Sequence, residues 1–258
     1  MIKTIIITYR AFDVIKRTLP PMIDENTLVI DNSEDEKISN FLNTLNCDLI
    51  INPQNLGFTK SVNLGLANDK EVTWYILANP DVFVFPDWRQ RVLSTNLTGN
   101  LDCGIIGVQL VQGKQAHHAG GLKLQKPLDI SWTLNIDYGN FSAQEFWKLQ
   151  STRYHERKAS VNTFDTVEQV DWVSFGLVAI RKEVFDTIGL LNEDFFLYCS
   201  DTEFCARAKK QGWEIWYNPV VFEHHQGSSV KEMTPELRKL VKKDFVLWEQ
   251  FQKHYTEV

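Results

Sequence analysis

Four short, densely apolar runs near the start of the chain, residues 4–8, 27–31, 48–51 and 74–77, constrain what it can fold into more than any other feature. Runs this short with apolar residues on both faces predict strands buried in a parallel sheet, because a half-exposed strand would alternate and a helix would run longer. Residues 34–45 and 58–68 have helical character and separate the later strands, so the pattern is α/β. Open sheets of this kind bind ligands outside the carboxyl ends of their strands. Those ends carry polar groups here: Thr8-Tyr9-Arg10, Asp31-Asn32-Ser33, Asn52-Pro53 and Asn79-Pro80-Asp81.

No dinucleotide-binding or P-loop glycine motif follows any of the four runs, so a phosphorylated ligand needs a holder other than a glycine cradle. The formal charge of −6 argues against a nucleic-acid surface, which needs an excess of Lys and Arg facing the phosphates. A small phosphorylated ligand stays compatible with that charge, because one divalent cation neutralises a diphosphate locally. With 258 residues the chain can bury a sizeable core. We expect one domain over residues 1–230 and a packed amphipathic helix over 231–258. Cys47, Cys103, Cys199 and Cys205 form no C-x-x-C pair and read as buried thiols, not as a zinc or disulfide framework. No stretch approaches the ~20 apolar residues that span a bilayer, and the start lacks a signal peptide's pattern. A cytoplasmic protein is the expectation.

Further along, residues 88–96 read as a helix, 103–110 as a strand and Gly120-Gly121 as a turn before a short alternating run at 122–124. Residues 125–168 show weak periodicity and many aromatics (Trp132, Tyr138, Phe141, Trp147, Tyr154), as in a long functional loop. Those rings either stack on a saccharide or form the loop's own core. Regular signal returns with a strand at 171–180, helices at 182–188 and 201–211, and strands at 214–217, stopped by Pro219, and 220–222. The last helix, 235–255, puts Leu237, Val241, Phe245, Trp248, Phe251 and Tyr255 on one stripe. The stripe packs on the body or, given Arg238, Lys239, Lys242 and Lys243 beside it, makes a peripheral membrane or dimer contact.

Three positions carry candidate chemistry. Asp81 ends a buried run after Asn79-Pro80, where it is either a turn former or a ligand for a hard divalent ion bridging phosphate oxygens. Asp201 opens a helix directly after Phe195-Phe196-Leu197-Tyr198. It either caps that helix or serves as a general base, which must lie within about 3 Å of the hydroxyl it deprotonates. His224, beside His225, is either a hydrogen-bonded loop imidazole or a metal ligand. The combination is the informative part: an early Asp, an Asp at a helix start and a late His can meet at one metal-diphosphate site.

The segments NLGFTKSVNLGL (55–66), NPDVFV (79–84), VDWVSFGLVAIRKEVF (170–185) and FFLYCSDTEFCARAKKQGWEIWYNP (195–219) resemble, in order and spacing, successive signatures of the family 2 glycosyltransferases. The nearest subgroup is the rhamnosyltransferase-like enzymes of cell-surface polysaccharide assembly. The resemblance implies a GT-A fold, with a Rossmann-like, mostly parallel central sheet, flanking helices and a C-terminal helix. It also implies an inverting mechanism, a dTDP- or UDP-linked sugar donor with rhamnose as the best match, a saccharide or lipid-linked saccharide acceptor, and Mg²⁺ or Mn²⁺. Thr8, Tyr9, Arg10, Asp31 and Asn32 match positions that hold the nucleoside, and Asn55, Gly57, Phe58 and Asn63 match the next donor-binding stretch. Asp81 matches the second carboxylate of the D-x-D motif, whose first position is Asn79 here, so Asp81 carries the direct metal contact. His224 matches the late histidine that joins metal and diphosphate, and Asp201 matches the catalytic base.

Trp172, Ser174, Phe175 and Ser200 fall on the acceptor side of that pattern, and two of them depart from it. Ser200 stands where the family usually has Glu, although Glu203 lies one helical turn on. Phe175 stands where the family has a small Gly, with Gly176 one place later. These departures motivate a rival reading, a non-catalytic sugar-nucleotide binder. A second rival, a sugar nucleotidyltransferase, would carry a glycine-rich loop after the first strand, and Thr8-Tyr9-Arg10-Ala11-Phe12 contains no glycine.

Overall fold

The computed structural model describes residues 1–66, 71–93, 95–112, 115–118, 166–225 and 234–255. The turn expected at Gly120-Gly121, the run at 122–124 and the five aromatics of the long loop lie outside the described residues. In chain order the elements are β1 (Ile2–Thr8), α1 (Phe12–Thr18), β2 (Thr27–Asp31), α2 (Glu36–Leu42), β3 (Asp48–Ile51), α3 (Gly57–Gly65), β4 (Trp74–Ala78) and β5 (Val82–Phe83). They continue with α4 (Trp88–Leu93), α5 (Thr95–Thr98), β6 (Cys103–Gln112), β7 (Gln115–His118), β8 (Glu168–Val170) and β9 (Leu177–Arg181). Then come α6 (Lys182–Ile188), α7 (Ser200–Lys210), β10 (Glu214–His224) and α8 (Pro235–Tyr255).

The sheet runs in the order β3-β2-β1-β4-β9-β6-β10-β5, with β7 beside β6 and β8 beside β10. Successive strand residues point to opposite faces, so the apolar runs feed two cores at once. Ile6, Val29, Ile76 and Ala179 enter one core. Their neighbours Ile5, Ile30, Leu77 and Ile180 enter the other. Both faces are covered, which is why β2 and β4 are buried at every position.

The block β3-β2-β1-β4 is parallel, as is the β6-β10 pair. β9 lies antiparallel between β4 and β6, so the sheet is mixed and its parallel character belongs to those two blocks. Two strand boundaries differ from the sequence expectation. The run at 171–180 becomes a strand only at Leu177, because residues 171–176 turn to pack elsewhere: Asp171 pairs with Lys209, and Val173 lies where a Cβ on Gly107 would be. Pro219 does not stop a strand. β10 passes through it at a register shift between Asn218 and Val221, an irregularity that tolerates a residue without an N–H.

α8 buries Val241, Asp244, Phe245 and Trp248 against the body, and Phe245 stacks on Tyr198 at 5.8 Å. The apolar stripe thus packs inward, and no helix among the described residues is long and apolar enough to cross a membrane. Cys103, Cys199 and Cys205 are buried free thiols, while Cys47 is half-buried. Burial pushes the Cys103 thiol up to about 12, out of reach of ordinary thiolate chemistry.

Candidate functional site

From β1 the chain turns to β2 on one side of the sheet, and β4 adds on the other side of β1. That reversal opens a crevice outside the carboxyl ends of β1 and β4, where open α/β sheets hold ligands. Tyr9 and Arg10 leave β1 there, and Asn79-Pro80-Asp81 leave β4. Three elements fix the second turn. The Thr18 hydroxyl of α1 donates to the Pro80 carbonyl at 2.5 Å, the Asn79 amide donates to the Gly176 carbonyl at 2.8 Å, and the His225 amide donates to the Asp81 carbonyl at 2.9 Å.

Antiparallel pairing of β5 with β10 sets His224 opposite Val82, and so brings its imidazole to Asp81. Nε2 of His224 lies 3.0 Å from Oδ1 of Asp81 and 3.3 Å from Nδ2 of Asn79. Asp81 is 8% exposed and His224 3%. One ring nitrogen cannot donate to the carboxylate and accept from the amide together. With its proton on Nε2, His224 donates to Asp81; in the other tautomer Nε2 accepts from Asn79. A neutral imidazole nitrogen and a carboxylate oxygen, 3.0 Å apart, are the atoms this cluster would offer a divalent cation. No group of three or more His, Cys, Asp and Glu gathers among the described residues.

The neighbouring strand ends behave differently. Asp31 is fully buried, and its carboxylate accepts from the Thr8 hydroxyl (2.9 Å), the Ser33 amide (3.0 Å) and the Ser39 hydroxyl (3.0 Å). Asn32 donates to the Gly57 carbonyl and the Ser61 hydroxyl and accepts from Asn52 and Ser61. Asn63 ties α3 to the 191–193 turn through Leu191 and Glu193. Asn55 accepts the Gly57 amide, and Phe58 packs on the core. These residues knit β1, β2, β3 and α3 together. Tyr9 and Arg10 at the crevice are only half-buried, as are Asn79 and Pro80, and the Arg10 guanidinium lies 5.2 Å from the Tyr9 ring centroid. Arg10 and Ala11 hold φ of 52° and 55°, left-handed values that cost a non-glycine residue about 1–2 kcal/mol each.

Asp201 stands half-buried in the first turn of α7, which begins at Ser200 with Cys199 as its N-cap at φ 64°. One carboxylate oxygen, Oδ1, accepts the Thr202 amide at 2.8 Å and its hydroxyl at 3.2 Å. The acceptor-side candidates separate. Ser174 accepts the Gly176 amide at 3.2 Å, and a Cβ on Gly176 would sit 3.5 Å from Nδ2 of Asn79, so this turn borders the Asp81 cluster. Trp172 is half-buried against the core. Phe175 is a core residue, its ring edge-on to Phe204 at 5.9 Å. Ser200 is 2% exposed, and Glu203 is paired with Arg207 at 2.7 Å, so Glu203 does not stand in for the missing carboxylate.

Sequence reasoning missed Asp244. Its buried carboxylate accepts three consecutive amides, Phe196 (2.6 Å), Leu197 (2.8 Å) and Tyr198 (2.9 Å), in the loop that leads to Asp201. Burial pushes this carboxyl up to about 6, against the opposing pull of the three amides and Lys243. The signal was present: a lone carboxylate on the apolar stripe between Val241 and Trp248 needs a buried partner.

No family model matches the chain. Over 195 residues it is 25% identical to the N-acetylglucosaminyl-diphospho-decaprenol L-rhamnosyltransferase of Mycobacterium tuberculosis, covering 71% of this chain and 60% of that protein. Over 59 residues it is 37% identical to the low-salt glycan biosynthesis hexosyltransferase Agl10 of Haloferax volcanii, 23% of this chain and 19% of that one. The chain thus matches less than two thirds of either relative's length. Among solved structures, GalNAc-T7 with UDP, GalNAc and Mn²⁺ superposes with a TM-score of 0.58 at 14% identity, over 87% of this chain and 43% of that one. Glucosyl-3-phosphoglycerate synthase from Mycobacterium tuberculosis superposes with a TM-score of 0.54 at 9% identity, over 98% and 79%. The chain has the GT-A glycosyltransferase fold, and its relatives support the family 2 resemblance that its motifs carry.

Proposed function

We propose that this protein is a metal-dependent, inverting glycosyltransferase that moves a sugar from a nucleoside diphosphate to an acceptor hydroxyl. The contact between Asp81 and His224, residues 143 apart brought together at the switch point of the sheet, carries this reading. The name of the rhamnosyltransferase relative supports rhamnose as the sugar and a lipid-linked saccharide as the acceptor, while dTDP or UDP as the carrier and a place in cell-surface polysaccharide synthesis rest on the motif resemblance alone. Residues 1–230 form the catalytic domain in this proposal, with 231–258 as the helix packed on it. A lipid-linked acceptor would bring the enzyme to the inner face of a membrane.

Tyr9 and Arg10 flank the nucleoside at the end of β1, and Asp81 and His224 are the residues that would hold Mg²⁺ or Mn²⁺. Such an ion would supply positive charge toward the leaving diphosphate. Asp201 takes the proton of the acceptor hydroxyl as its oxygen bonds to the anomeric carbon. The bond to the diphosphate breaks on the opposite face, which inverts the centre in one displacement. Phe175 and Ser200, the two departures that motivate a non-catalytic binder, are buried, and we keep the catalytic reading over that rival.

Asp201→Asn tests the assignment with dTDP-rhamnose as donor and an N-acetylglucosaminyl diphosphoryl polyprenol as acceptor. We expect transfer to fall about 10³-fold, within the range of a general base, with Mn²⁺-dependent donor binding within twofold of wild type. Equal transfer by variant and wild type contradicts it.

A further inference from the structure

The segment that delivers Asp201 is held from two sides. From α3, the Phe58 amide donates to the Phe196 carbonyl at 2.7 Å and the Thr59 hydroxyl donates to the Phe195 carbonyl. Gly57, at φ +80°, makes room for this: a Cβ there would lie 2.6 Å from both the Phe196 ring and its carbonyl oxygen. From α8, Asp244 receives the amides of Phe196, Leu197 and Tyr198, and the next residue of the helix, Phe245, stacks on the Tyr198 ring. Successive amides converging on one point form an anion-binding nest, and here the chain supplies its own anion. Only Cys199 and Ser200 separate this nest from Asp201. Cys199 holds a left-handed φ of 64°, and its carbonyl accepts the Glu203 amide at 2.9 Å, closing the first turn of α7.

We propose that Asp244 is a positioning residue for the base: by fixing Phe196, Leu197 and Tyr198 it sets where the first turn of α7 begins, and so where the Asp201 carboxylate meets the acceptor hydroxyl. This rests on the reading of Asp201 as the base. α8 then belongs to the catalytic machinery at one remove, besides covering the core. A misplacement of about 1 Å at a reacting group costs on the order of 10²-fold in rate, while the Asp81 cluster lies on other elements. Loss of the nest therefore lowers kcat and leaves donor affinity unchanged.

The test is Asp244→Asn, which keeps size and one acceptor oxygen but sets an amide NH₂ against backbone N–H groups. Amide hydrogen exchange on the full chain without ligand reads the coupling. We expect at least tenfold faster exchange at 196–198 and also in the first turn of α7; loss confined to 196–198 overturns the proposal. In the transfer assay, kcat falls at least tenfold with the Mn²⁺-dependent dissociation constant for donor within twofold; wild-type kcat, or a loss shared equally by donor binding, overturns it. Asp201→Asn in the same assay separates the two claims: full activity there defeats the base, whereas an inactive Asp201→Asn beside a fully active Asp244→Asn defeats only the positioning. Should Asp244→Asn not fold, Thr59→Val, which removes the anchor on the opposite side, is scored by the same outcomes.

Discussion

Two polar clusters stand at the carboxyl edge of the same sheet, one after β2 and one after β4, and they spend their hydrogen bonds differently. After β2, Asp31 and Asn32 are buried and satisfied by Thr8, Ser33, Ser39, Asn52, Gly57 and Ser61. After β4, the side chains of Asn79 and Asp81 converge on a single nitrogen of His224. A place at the strand ends does not itself make a residue a ligand contact. Asp31 and Asn32 each have several protein partners, whereas Asn79 and Asp81 share one imidazole nitrogen, so we predict that the first pair frames the crevice and the second meets the ligand.

That contrast breaks if frame substitutions change binding, or site substitutions change only stability. The largest expected stability effect is at Phe175, whose truncation to Ala leaves a cavity beside Phe204 and costs about 3–5 kcal/mol. Acceptor preference stays the same; a changed preference in folded Phe175→Ala restores it to the acceptor pocket. Asn32→Ala comes next. It strands the Asn52 amide and the Ser61 hydroxyl, at a cost of about 2–3 kcal/mol, with donor affinity within twofold wherever the protein is folded. Denaturant unfolding paired with donor titration reads both.

The last test is a pH dependence at Asp244. Its folded pKa of about 6 lies above the ordinary aspartate value of 3.8, so the folded state holds the proton more tightly than the unfolded chain. The stabilising contribution is full below about pH 4 and is lost as pH rises through about 6. The unfolding free energy of wild type relative to Asp244→Asn therefore grows as pH falls from 6 to 4. A difference independent of pH across that window removes Asp244 as its source.

The buried strands were legible because apolar runs on both faces have few other destinations, and the meeting of Asp81 with His224 was legible because both fall on a family pattern. The antiparallel β9 was not, since strand direction depends on how the intervening chain crosses the sheet. Nor was the passage of β10 through Pro219, where a register shift absorbs the missing donor. Asn63, a donor contact in the family resemblance, ties to Leu191, 128 residues away, a contact that exists only once the two segments meet. Asp244 lay in plain view on an apolar stripe, and its partners are backbone amides, which no side-chain pattern marks.

The most direct test of the account is titration of UDP and dTDP, and of their sugar conjugates, into wild type and Asp81→Ala, each with Mn²⁺ and with EDTA. The account predicts that wild type binds one nucleotide series with Mn²⁺ and loses at least tenfold in EDTA, and that Asp81→Ala binds weakly in either buffer. Binding that ignores both the metal and Asp81, or no binding by folded wild type, contradicts it.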